Sequence, residues 1–234
     1  MGGVVGAVSG KFVLVAAGLL VDSRVGHERV RALIDASLAR TEISRSLADR
    51  LDPHGAHRDG DELAPRRGTT VGLGAREFDA PKLIIGASRA PKGVDLVIGR
   101  DVLEAERLEL DFARDQLSLV TPAEYKAAVR GRVRVPLTPA GPGLWRLNAR
   151  LGPGGEKDGA LDLTSPAALM VNGVPVSPCP DIGFGAVRLQ PTACAADTTS
   201  TLPFRLGWRG FATARVLLAL PDRSLWIAPS RTER

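Results

Sequence analysis

Two aspartates end apolar runs in matched fashion. Ala32-Leu33-Ile34-Asp35-Ala36-Ser37 and Gly159-Ala160-Leu161-Asp162-Leu163-Thr164 each carry a carboxylate out of a hydrophobic segment and place a hydroxyl residue two positions later. A carboxylate can take or give a proton, so these two are the first candidates for chemistry. Each also has a plainer reading. Asp35 fits a turn carboxylate after a strand, and Asp162, in Asp-Leu-Thr-Ser-Pro, fits the N-cap of a short helix. The pair His54 and His57 in Pro-His-Gly-Ala-His has a spacing that could touch a metal. No carboxylate or thiol partner is evident in the sequence, so they are read as loop residues, with no metal site and no cofactor expected. Cys179 and Cys194 are too few for a disulfide scaffold and lack the partners of a zinc site; a disulfide between them and two free thiols both remain open.

The elements that must position the aspartates are short strands. From Leu19, two strand-like runs separated by a turn at Gly26 form a hairpin that ends at Asp35. Ile43, Leu47 and Leu51 then recur at helical spacing, and Asp52-Pro53 ends that helix. A polar loop over 52–68 leads to strands near Thr69 to Phe78 and Lys82 to Ile85. Val94 to Leu103 is an apolar run that reaches Gly99 and enters a turn of helix, and Leu108 to Val120 alternates as a hairpin with a polar tip. Thr121-Pro122-Ala123-Glu124 is a capping box with proline at the first helical position. The connecting helix it opens is taken as the boundary between two lobes, 1–128 and 129–234. Beyond it come strands near Val133 to Leu137 and Leu144 to Leu151, a glycine-rich turn at Gly152 to Gly155, and Asp162. At the start of the chain, the apolar run Phe12 to Val21 suits a first strand, with the apolar part of a secretion signal as the competing reading.

An internal repeat joins the halves. Gly-Arg-Asp-Val-Leu from Gly99 through Leu-Ser-Leu at 117–119 lines up without a gap with Gly-Trp-Arg-Gly-Phe from Gly207 through Leu-Trp-Ile at 225–227. Upstream, Ala32 to Asp35 matches Gly159 to Asp162. The span from aspartate to glycine differs between the halves, and surface loops tolerate such differences.

Composition bounds the alternatives. The 234 residues suffice for two lobes of ordinary domain size. With 44% hydrophobic and 24% charged residues the chain is globular, and with 4% aromatics its core rests on aliphatic side chains. The 26 glycines and 17 prolines favour many short strands. The net charge of +5 comes from scattered arginines without aromatic interleaving, so nucleic acid is not an expected partner. No apolar run is long enough for a transmembrane helix. The sequence leaves localisation open between cytoplasm and export.

Leu-Ile-Asp35-Ala-Ser, then Ile-Ser-Arg-Ser-Leu-Ala, Asp-Leu-Val-Ile-Gly99-Arg-Asp-Val-Leu and Leu-Asp-Phe-Ala-Arg resemble the aspartic proteases of the pepsin and retropepsin type. The resemblance covers most of residues 19–120, and in the second half Asp162 and the Gly207 to Ile227 block. It implies an all-β, bilobed fold of two related barrel-like lobes with short helices. It also implies an endopeptidase in which Asp35 and Asp162 meet at the lobe interface, share a proton and activate water against a peptide carbonyl. The alternative is a catalytically inactive relative that binds a peptide by strand addition. Because both halves lie in one chain, a monomer acting on a peptide or protein substrate is expected. Ser37 and Thr164, whose backbone N–H groups could point at the carboxylates, and Gly72 and Gly74, in a candidate flap over Thr69 to Phe78, are the implied substrate-binding residues. The family's Asp-Thr/Ser-Gly is altered at both sites. Ala36 and Leu163 cannot supply the hydroxyl that braces the lobes in the family, and Ser37 and Thr164 replace its glycine.

Overall fold

The computed structural model describes residues 10–15, 18–63, 70–73, 76–79, 82–86, 90–165, 167–173 and 177–229. In the first half these form β1 (Gly10–Val15), β2 (Gly18–Val25), β3 (Glu28–Ile34), β4 (Glu42–Ile43), β5 (Glu62–Leu63), β6 (Thr70–Leu73), β7 (Arg76–Asp79), β8 (Leu83–Ile85), β9 (Leu96–Ile98), β10 (Arg107–Asp111) and β11 (Gln116–Leu119). Helices α1 (Arg45–Leu51) and α2 (Arg100–Leu103) lie among them, and α3 (Pro122–Ala128) follows. The second half supplies β12 (Val133–Pro136), β13 (Thr138–Gly141), β14 (Leu144–Leu151), β15 (Glu156–Asp162), β16 (Leu169–Asn172), β17 (Ile182–Phe184), β18 (Val187–Leu189), β19 (Cys194–Asp197), β20 (Phe204–Leu206), β21 (Ala214–Ala219) and β22 (Ser224–Pro229).

Local chemistry accounts for most of these elements. The β2–β3 hairpin turns at Gly26, whose φ of 56° is readily adopted by glycine, and it ends at Asp35 as the pattern predicts. Helix α1 starts later than the spacing suggests. Ser44 caps it by accepting from the Leu47 N–H, which leaves Ile43 in β4, where it pairs with β8 and β9. At α3 the capping box is complete: Thr121 accepts the Glu124 N–H, and the Glu124 carboxylate accepts the Thr121 N–H. In the Phe12 to Val21 run, 12–15 lie in β1 and 18–21 in β2, with Phe12 buried and paired to Val21. Asp162 is the last residue of β15, and a turn follows it at Leu163 and Thr164.

Among the described residues the two halves meet along one stretch of a 14-stranded sheet, in the order β12-β22-β21-β10-β11-β1. Its centre is the antiparallel pair β10–β21, with Arg107 opposite Ala219, Glu109 opposite Leu217 and Asp111 opposite Arg215. The step that carries Gly99 to Gly207 also carries Arg107 to Arg215 and Asp111 to Ala219, so each pairing maps onto the other. A pseudo-two-fold axis therefore passes between Glu109 and Leu217, and the chain pairs with its own repeat as two copies would in a symmetric dimer. Over this sheet, Phe112 stacks on Phe211 at 6.0 Å between ring centres and meets Phe12 edge-on at 5.3 Å. Much of the scarce aromatic content thus lies where the halves join.

A second repeat becomes visible in the strand register. Arg24 pairs with Gly72 and Gly72 with Glu77; Arg150 pairs with Gly183 and Gly183 with Arg188. The hairpins β6–β7 and β17–β18 are therefore counterparts, and their sequences, Val-Gly-Leu-Gly-Ala from Val71 and Ile-Gly-Phe-Gly-Ala from Ile182, agree.

Candidate functional site

Both aspartates stand at the end of a strand that runs parallel to the strand leading into the repeat glycine. Ile34 pairs with Ile98 in one lobe and Leu161 with Leu206 in the other, so each aspartate lies level with its glycine. Gly99 has φ −90° and ψ −173°, and Gly207 has φ −97° and ψ −175°. These are extended angles open to any residue, and it is crowding that demands glycine. A Cβ on Gly99 would lie 2.5 Å from the Arg40 carbonyl oxygen, and one on Gly207 would lie 2.3 Å from that of Ala167. Arg40 and Ala167 each stand five residues after the aspartate. In both lobes the residue after the glycine then donates its N–H to the third residue of the aspartate loop, Arg100 to Leu38 and Trp208 to Ser165.

Within each loop the carboxylate is held alike. Asp35 Oδ1 accepts the Ser37 N–H at 2.8 Å, and Asp162 Oδ1 accepts the Thr164 N–H at 3.0 Å. The loops also approach one another. Gly143, in the turn before β14, accepts the Leu163 N–H at 2.8 Å; a Cβ there would lie 2.5 Å from Thr164 Cγ2 and 2.9 Å from the Ala36 carbonyl oxygen. With φ 68° and no side chain, Gly143 lets the first lobe's loop close on the second's. Ala36 and Leu163, each 1% exposed, belong to one hydrophobic core cluster.

Beyond this frame the sites diverge. Asp35 is half-buried, and the Ser37 N–H is the hydrogen bond its carboxylate accepts among the described residues. Asp162 is 4% exposed and fully engaged: the Thr164 hydroxyl donates to Oδ1 at 2.6 Å, and Arg205 Nη1 donates to Oδ2 at 3.2 Å. Arg205 also donates through Nε to Asp197 Oδ2 at 2.6 Å. Asp197, likewise buried, takes the N–H and hydroxyl of Thr199 and the N–H of Ser200 on its other oxygen. Burial alone would raise the Asp197 carboxyl, but the bonds from Thr199 and Arg205 together outweigh it and hold it below the usual carboxylate range. The sequence reading did not anticipate Arg205. Its signal is an arginine inside the apolar run Phe204 to Leu206, at the repeat position where the first half has Val97, itself 3% exposed. The small Ala160 opposite Arg205, where the first lobe sets Leu33 opposite Val97, leaves room for the guanidinium.

In the candidate flap, Gly72 pairs with Arg24 near the turn end of β2, and its carbonyl accepts the Ser23 hydroxyl. Arg76 on the same hairpin bonds to Glu124 of α3. Among the described residues the hairpin makes no hydrogen bond or ion pair with either aspartate loop, and Gly74 lies outside the described residues. His57 is turned in on its own loop, its Nε2 2.9 Å from the Asp52 carbonyl oxygen. No group of three metal-ligating side chains occurs among the described residues. Cys179 and Cys194 form a disulfide. No helix among the described residues is long and apolar enough to cross a membrane.

The duplicated strand–aspartate loops, the crowded glycines facing them and the sheet that both halves share define the bilobed, all-β, pepsin-like fold. No protein-family model matches the sequence, and no curated protein matches it. Among solved structures the chain is similar to basic 7S globulin from soybean, at a TM-score of 0.59 over 95% of this chain and 94% of that one. The two are 10% identical, so the likeness is one of fold.

Proposed function

We propose that this chain is a non-catalytic protein of the pepsin-like fold that binds an extended polypeptide between lobes spanning residues 1–128 and 129–234. The observation that carries the non-catalytic part is the Arg205–Asp162 pair. A water-activating dyad needs one proton shared between two carboxyls. A guanidinium that donates to one of them takes up the carboxylate oxygen that the shared proton would need. The apolar Ala36 and Leu163, in place of bracing hydroxyls, support the same reading. The polypeptide part follows from the resemblance of residues 19–120, with main-chain hydrogen bonds supplying affinity. Both halves of the frame come from one chain, so a monomer suffices.

A second reading, an aspartic endopeptidase acting through Asp35 and Asp162, is favoured by the matched N–H bonds from Ser37 and Thr164. Incubating the protein with a mixed peptide library between about pH 3 and 7 separates the two. The expected result is retention of peptides on the immobilised protein with no cleavage. Cleavage that Asp35→Asn or Asp162→Asn abolishes would establish the endopeptidase instead. Arg205→Val, which copies Val97, sharpens the test: gain of cleavage in that variant alone would identify the arginine as the block.

A further inference from the structure

Beside Asp35 the first lobe's sheet is apolar on both faces. Ala32, Ile34 and Ala36 belong to the main core, while Leu33, between them, belongs to a separate small cluster with Val94 and Val97. The strand register sets Leu20 opposite Leu33 and Leu33 opposite Val97, so these three form one cross-strand row. On β1 the row continues to Val13, which is 61% exposed. The Asp35 N–H donates to the Ile98 carbonyl, which carries the strand pairing through the aspartate. Side chains alternate along a strand, so Asp35 shares the face of Leu33, two residues before it. Leu38, whose N–H donates to the Asp35 carbonyl, is partly buried against the same cluster.

The matching row of the second lobe is polar. Arg146 stands opposite Ala160 and Ala160 opposite Arg205, in the places of Leu20, Leu33 and Val97. That lobe therefore supplies, from its own chain, the cation that engages its aspartate. The first lobe has aliphatic side chains at all three positions, and among the described residues no cation pairs with Asp35. Its Oδ1 takes the Ser37 N–H, which leaves Oδ2 to accept a further donor. A carboxylate bordered by an apolar row and lacking a cation is complementary to a group that is itself apolar along its length and positive at its end.

We propose that Asp35 receives a lysine or arginine side chain of the bound polypeptide, its aliphatic stem lying against Leu38 and the apolar row and its charged end on the carboxylate. This assignment rests on the reading of the chain as a polypeptide binder and names what the polypeptide must carry. Long basic side chains bury their methylene stems on apolar surface while the charge keeps a polar partner, and a charge-assisted hydrogen bond fixes the end. The ligand's cation stands to Asp35 as Arg205 stands to Asp162.

The test passes a mixed peptide library over the immobilised full chain at about pH 7 and sequences what is retained. A retained lysine peptide is then compared by fluorescence anisotropy with its norleucine form, which keeps the stem and removes the charge. Retained peptides should be enriched in lysine or arginine at one position, and norleucine there should weaken binding about tenfold. Asp35→Asn should bring the two peptides to equal affinity, whereas Asp49→Asn, which removes the same charge from an exposed position of α1, should leave their difference intact. Retention without basic enrichment, or a lysine preference that persists in Asp35→Asn, overturns the inference and leaves polypeptide binding in place. Retention of no peptide removes polypeptide binding and this inference with it.

Discussion

Asp35 and Asp162 end equivalent strands, face equivalent glycines and accept equivalent N–H groups, yet one is left open and the other is sealed by an arginine. The difference arises from one position in the repeat. Where the first lobe buries Val97 against Leu33, the second places Arg205 against Ala160, close enough to bridge Asp162 and Asp197. The backbone frame is thus independent of what the carboxylates do within it. Glycine crowding and strand register hold both loops in shape, so a single neighbouring side chain can convert a half-exposed acid into an internal ion pair without disturbing the fold.

Removing the arginine breaks the comparison most severely. Arg205→Ala leaves Asp162 and Asp197 buried without their cation, at a cost of about 3 kcal/mol, whereas Val97→Ala costs about 1–2 kcal/mol from lost burial. Urea unfolding of both variants measures the difference; equal losses would show that Arg205 does not hold the second lobe. The aspartates themselves give the next largest effect. Asp162→Asn weakens charge-assisted hydrogen bonds to Arg205 and Thr164 and should cost about 2 kcal/mol, while Asp35→Asn should stay within about 0.5 kcal/mol. A comparable loss at Asp35 would mean that its carboxylate, too, is structural.

Acid should expose the asymmetry more gradually. The Asp197 carboxyl is depressed in the folded protein, so the unfolded chain binds its proton first. Its contribution is present above the unfolded value of about 3.9 and is lost as pH falls through the lower folded value. Unfolding followed from pH 6 down to pH 2 should therefore show stability declining below about pH 4, and Asp197→Asn should flatten that decline. An unchanged slope would locate the acid sensitivity elsewhere.

The parts of the site legible in the sequence are those written in adjacent residues. The β2–β3 hairpin, Asp35, Gly99 and the capping box at Thr121 announce themselves through alternation, turn glycines and cap spacing, and the gapless block from Gly207 exposes the second lobe. Other features came through less clearly. Ile43 reads as helical from its spacing to Leu47, but Ser44 caps the helix and hands Ile43 to a sheet. The Thr69 to Phe78 segment reads as a flap from its glycines, and its pairing with β2 through Thr70–Leu73 shows only in the folded register. Its repeat from Ile182 is short and lies in a segment whose loops have changed length, so register reveals it where linear alignment does not.

What the sequence determined by itself is the duplicated frame: short strands, two aspartates, two glycines and enough aliphatic side chain to bury them. Those are local or periodic properties, and each residue's neighbours in the chain suffice to express them. Tertiary structure alone decided that Asp162 meets Arg205, that Cys179 joins Cys194, that Gly143 closes one loop on the other, and that Leu20, Leu33 and Val97 form one row. Each of these depends on register and packing between segments brought together by folding, where a shift of one residue changes which side chains meet.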